Sequence, residues 1–100
     1  MTPEKISSLL RYSGIPQTAL AKTANVNTGT LSLWLRGYSE LAETIRDDIN
    51  FAMHAMIEVS DESPFPLDWR QCPRLKSLVD SKIEDYRRAR SAELSRQLET

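Results

Sequence analysis

Cysteine, histidine, glycine and proline are all scarce in this chain of 100 residues, and each scarcity removes a class of protein. The single Cys72 cannot close an internal disulfide. With His54 as the lone histidine, a Cys/His zinc site within one chain is out of reach. These counts point to a reducing cytoplasm, with Cys72 expected as a small, partly buried thiol. Three glycines and five prolines are too few for a disordered chain or one built from short strands and turns. No run approaches the ~20 consecutive apolar residues that a membrane-spanning helix needs. The opening MTPEKISSLLRYSG carries Glu4 and Lys5 and has no long apolar stretch, so no secretory signal is expected there.

The chemistry of catalysis is missing as well. There is no second histidine, no nucleophile–base motif, no glycine-rich phosphate loop and no recognisable pair of facing carboxylates. Asp47/Asp48 and Asp61/Glu62 are sequence neighbours, which do not face each other on a helix. Neither an enzyme nor a bound cofactor or metal is expected.

Net charge is a further apparent lack. Thirteen Lys+Arg against 14 Asp+Glu leave −1, which argues against nucleic acid because DNA affinity rests largely on phosphate neutralisation. Taken by segment, the balance dissolves. Residues 1–38 carry +3, residues 39–68 carry −7 and residues 69–100 carry +3. A basic start, an acidic middle and a basic end are compatible with one surface that faces an anion and another that does not.

What the chain has is helical periodicity. Thr2-Pro3-Glu4 combines a hydroxyl cap, an early proline and an acid at the positive helix end, so a helix is predicted over 3–12 with Ile6, Leu9 and Leu10 on one face and Gly14 as its stop. A short helix is predicted over 17–24 with Leu20, Ala21 and Ala24 inward. Asn25-Val26-Asn27 then breaks the pattern: Asn25 tolerates positive φ and Asn27 can cap a helix over 28–36, whose Leu31, Trp34 and Leu35 share a face before Gly37. Ser39 is expected to cap a longer helix over 40–59, with Glu40 and Glu43 in its first turn and Leu41, Ile45, Ile49, Ala52, Met53 and Met56 inward.

Residues 60–68 read as a linker, although Phe65, Leu67 and Trp69 are apolar enough to pack onto the helices. Asp68–Cys72 is expected to form a single turn. The last helix is expected to begin near Pro73 with a stripe of Leu75, Leu78, Val79, Ile83 and Tyr86. Ala89, Leu94 and Leu98 continue that stripe weakly, and the tail is expected to fray. The predicted fold is all-α: a compact multi-helix unit over 1–59, and a linker with a C-terminal helical segment over 60–100 packed on the same core.

Residues 17–37, QTALAKTANVNTGTLSLWLRG, carry the functional information. A helix-turn-helix needs a small residue where its helices meet and an apolar residue in the turn; Ala21 and Val26 supply them. The segment resembles the helix-turn-helix of phage repressors, Cro proteins and related small bacterial regulators. The matching residues are Gln17, Ala21, Val26, Leu31 and Trp34, with Leu35 and Gly37 ending a Trp-Leu-x-Gly pattern. Asn25 stands where the family usually has glycine, and Pro16 stands where it usually has a Ser or Thr cap. The resemblance extends loosely over residues 3–59.

The resemblance implies a repressor-like fold and sequence-specific binding to the major groove of operator DNA, with Gln17 contacting phosphate at the start of the second helix. With Leu31, Trp34 and Leu35 inward, Thr28, Gly29, Thr30, Ser32, Leu33 and Arg36 are the outward candidates, with Asn27 at the helix start. Asn27 could pair bidentately with adenine, Thr28 and Leu33 could touch a thymine methyl, and Gly29 would admit a close backbone approach. Arg36 suits a phosphate or an outer base. Lys22 is either a phosphate contact or a solvated charge, and Leu33 either a base contact or incidental exposure.

Trp34 is expected in the core rather than stacking on bases, and Met53 and Met56 likewise in the core rather than in an adaptable patch. His54 reads as an ordinary surface or core residue. The Arg87/Arg88/Arg90 cluster is expected to pair with Glu84, Asp85 and Glu93 along its own helix. Since one recognition helix reads only a few base pairs, a homodimer on a two-fold operator is expected, with 60–100 as the dimerisation or partner segment. The other reading is an antitoxin or anti-repressor module that docks a protein through 60–100 and regulates itself through DNA.

Overall fold

The computed structural model describes residues 2–63, 67–69 and 73–99. Phe65 and Cys72, the turn expected through Cys72 beyond Trp69, and the side chains of Leu75 and Leu98 lie outside the described residues. The described residues are all-α and form five helices in chain order: α1 (Pro3–Ser13), α2 (Gln17–Ala24), α3 (Thr28–Leu35), α4 (Glu43–Glu62) and α5 (Pro73–Glu99). No helix is long and apolar enough to cross a membrane among the described residues.

Local chemistry sets the first three helices. Lys5 N–H donates to Thr2 Oγ1 at 3.2 Å, and Gly14 closes α1 with φ of 68°. Ile6, Leu10 and Ile15 enter the core from this element and its exit. They meet Leu20, Ala21 and Ala24 of α2, Leu31, Trp34 and Leu35 of α3, and Ile49, Ala52, Met53, Ala55, Met56 and Val59 of α4. Trp34, Met53 and Met56 are thus core residues, at 5%, 0% and 0% exposure.

The long helix differs from expectation at both ends. Ser39 does not cap it, and Glu40 lies before it. Residues 39–42 run outside any helix, and α4 starts after Ala42, which offers no side-chain cap; only Glu43 occupies the first turn. The reason is Leu41, which packs half-buried against the core from the connecting segment. At the other end α4 runs through Glu62, one turn beyond the predicted Val59. The extra turn sets Glu62 beside Glu58 on one face (i, i+4), and both carboxylates meet Lys82.

α5 lies antiparallel on α4 and joins the common core through Val79 and Ile83, with Tyr86, Leu67 and Trp69 partly buried against it. Leu78, expected on the inward stripe, is 54% exposed, because the seam runs along Val79, Lys82, Ile83 and Tyr86 instead. The tail expected to fray is helical to Glu99, with residues 87–97 all exposed.

At this seam the acidic middle of the chain meets its basic end. Lys82 Nζ lies 3.0 Å from Glu62 and 3.4 Å from Glu58, Arg87 Nη2 3.2 Å from Asp48, and Arg90 Nη2 3.3 Å from Asp47. Among the described residues, the predicted pairing within α5 holds only for Arg88–Glu84, at 3.8 Å. Arg87 and Arg90 turn to α4 because antiparallel docking brings its carboxylates within reach.

The Tyr86 hydroxyl donates to the Glu58 carboxylate, and its ring stacks on Phe51 with centroids 6.3 Å apart and tilts against His54 at 6.2 Å. The Tyr86 bond, helped by Lys82, holds the Glu58 carboxyl below the usual glutamate range, while burial and Glu58 push the Tyr86 phenol up to about 12. A depressed carboxylate contributes stability above its unfolded pKa and loses it as pH falls through the folded one. A raised phenol contributes below its unfolded value of 10.0 and loses that as pH rises through about 12. Tyr86→Phe is therefore expected to flatten both the acid and the alkaline flank of a melting-temperature-versus-pH curve. Wild-type and variant curves that run parallel would refute the coupling.

Candidate nucleic-acid interface

Helices α2 and α3 are joined through a turn that the sequence makes cheaply. Asn25 adopts the left-handed conformation, φ 58° and ψ 45°, as the sole non-glycine residue with positive φ among those described. Its N–H reaches the Lys22 carbonyl at 3.3 Å, and the Val26 N–H reaches the Ala21 carbonyl at 2.8 Å, so two of the carbonyls ending α2 are satisfied within the turn. Asn is one of the few non-glycine residues that tolerate this geometry. Val26 packs half-buried against the core and fixes the turn from below.

Asn27 then caps α3. Its Oδ1 accepts from Gly29 N–H at 2.8 Å and from Thr30 N–H at 3.3 Å. A Cβ at Gly29 would sit 3.1 Å from that oxygen, so this glycine keeps the cap uncrowded quite apart from any close approach by DNA. The cap also limits Asn27: its carbonyl is engaged, and a bidentate pairing with adenine would require surrendering two backbone bonds. Its amide NH2 remains free to donate.

Thr28, Gly29, Thr30, Leu33 and Arg36 form the solvent-facing side of α3, with Ser32 half-buried at its margin. Leu33 is 48% exposed, an apolar group on an otherwise polar helix face. Arg36 follows the last helical residue as the C-cap of α3. Gln17 is the first residue of α2, exposed, after Pro16, which gives no side-chain cap bond; Lys22 is exposed in the last turn of the same helix.

No family model, no curated protein and no solved structure matches this chain.

The geometry adds residues the sequence did not single out. Arg11 and Ser7 of α1 line a concavity with Gln17 of α2 and Arg36 of α3, over a floor that includes Leu10 and Leu35. The outward faces of α1 and of the segment after α3 also carry Tyr12 and Tyr38, 91% and 77% exposed. Arg11 lies outside the α2–turn–α3 segment, and only the basic balance of residues 1–38 hints at it.

The charges divide between the two halves of the molecule. Asp47, Asp48, Glu58 and Glu62 are matched by bases of α5, whereas Lys5, Arg11, Lys22 and Arg36 form no ion pair with any described residue. Among the described residues no cluster of three or more His, Cys, Asp or Glu could hold a metal ion.

Proposed function

We propose that this protein is a sequence-specific DNA-binding transcriptional regulator of the phage-repressor or Cro type, acting in the bacterial cytoplasm as a homodimer on a two-fold operator. The observation that carries the reading is the α2–turn–α3 unit: a left-handed Asn25, a plugged Val26 turn and a capped α3 whose polar face is free. The bases of residues 1–38, which form no ion pair with any described residue, support it electrostatically, because this segment keeps an excess of positive charge on a molecule of net charge −1. In such a unit the second helix enters the major groove by its N-terminal end, where Thr28, Gly29 and Thr30 lie, with Ser32, Leu33 and Arg36 further along. Gln17 and Lys22 serve the phosphate backbone. Catalysis and cofactors have no part in this reading.

Selection of bound duplexes from a random DNA pool, followed by mass measurement of the complex, tests the proposal. A recurring two-fold sequence bound by two copies is expected. Thr28→Ala should then weaken the selected site by about 1–3 kcal/mol while leaving random duplex unaffected, and Gln17→Ala should weaken both alike. No duplex affinity at low salt would overturn the reading.

One observation favours a second reading. Residues 87–97 of α5 are exposed, Leu94 at 49%, which suits an antitoxin or anti-repressor segment that docks another protein. Two copies on a two-fold site with no further partner would decide for the first.

A further inference from the structure

The concavity between α1, α2 and the end of α3 is lined by two arginines and no acid. Arg11 and Arg36 both line it, no carboxylate does, and neither arginine forms an ion pair with any described residue. Arg87, Arg88 and Arg90 of α5, by contrast, each pair with a carboxylate. Gln17 and Ser7 add a neutral amide and a hydroxyl to the same wall, so every polar side chain there can donate a hydrogen bond. Guanidinium forks match the oxygens of a phosphate group, and two of them around one anion relieve a repulsion that water alone must otherwise screen.

We propose that this concavity seats one backbone phosphate of the bound duplex, held by Arg11 and Arg36 with Gln17 and Ser7 completing the donor set. α1 thereby becomes a third element of the interface. The inference rests on the DNA-binding reading above and adds to it a specific anchor outside the helix-turn-helix. Because Arg36 caps α3 and Gln17 opens α2, a phosphate seated here would fix how far α3 enters the groove. Arg11 acts as an anchor without reading any base.

The test is the salt dependence of binding to random-sequence duplex, where base contacts do not contribute. Each phosphate that is no longer neutralised reduces the slope of log affinity against log salt by about 0.9. The double variant Arg11→Gln/Arg36→Gln is expected to make the slope shallower by about one per subunit, because the pair holds a single phosphate, and each single variant by a fraction of that. Lys76→Gln, which removes an exposed charge on α5, is expected to leave the slope unchanged. Arg11→Lys is expected to restore part of the affinity, since charge is kept while the fork is removed. Both arginines are exposed, so melting curves of the glutamine variants should superimpose on wild type. A slope unaffected by the double variant, or changed equally by Lys76→Gln, overturns the anchor while leaving DNA binding intact. A wild-type chain that binds no duplex overturns the regulator reading and the anchor with it.

Discussion

Replacing Trp34 by alanine is expected to destabilise the protein by about 3–5 kcal/mol. Trp34 is 5% exposed in a core shared by α1, α2, α3 and α4. Its truncation removes apolar area and leaves a void the neighbours cannot fill. Its edge also lines a surface concavity with Gly37 and Leu41, in the segment that leads into α4 without a side-chain cap. For a domain near 100 residues the loss is a large share of a total stability of about 5–15 kcal/mol. Thermal unfolding followed by circular dichroism should show a drop of roughly 15–30 °C. Trp34→Phe, which keeps most of the ring volume, should cost markedly less. A Trp34→Ala variant that melts like wild type would mean the indole is a surface group, and base stacking by Trp34 would return as an explanation.

Trp34 also shows what makes part of this fold legible in sequence. Its spacing with Leu31 and Leu35 fixes an inward face on a helix of only eight residues, and Asn25, Asn27 and Gly37 mark the ends through backbone preferences that act within a few residues. Wherever local preference and burial agree, element and boundary can be read directly, as for α1 and α2.

The start of α4 is not legible in this way, because Ser39 is a sound cap by local rules and loses to the burial of Leu41 from a non-helical segment. The seam of α5 is hidden for a similar reason. Helical periodicity does not say that α4 lies alongside, so the bases of residues 87 and 90 look self-paired when their partners stand about 40 positions earlier in the chain. The outward row of α3 follows from its inward one, but the approach of Arg11 to Gln17 and Arg36 depends on how three helices cross. No spacing within one helix encodes that.

The crossing itself can be probed at Ala21. This residue is 1% exposed on α2, at the heart of a helix pair that also packs on α4, and its carbonyl accepts the Val26 N–H at 2.8 Å. Ala21→Leu adds three carbon atoms where the helices meet, and overpacking of this kind is expected to cost about 1–3 kcal/mol. The strain has one nearby outlet, rotation of α3 away from α2 about the Asn25 turn, because α4 on the other side is braced by the core and the α5 seam. The functional consequence should therefore exceed the stability loss. In the regulator reading, selected-site affinity falls at temperatures where Ala21→Leu is still fully folded, since Thr28, Thr30 and Leu33 no longer share a register with Gln17.

Two companion variants separate the causes. Ala21→Gly should cost about 2 kcal/mol, about 1 through helix propensity and about 0.8 through the lost burial of its methyl group, and leave the helix angle unchanged. Thr18→Leu adds a leucine at an exposed position of the same helix and should change stability by less than about 0.5 kcal/mol. Equal losses of affinity for Ala21→Leu and Ala21→Gly, measured where both are folded, would show that the α2–α3 angle does not govern recognition.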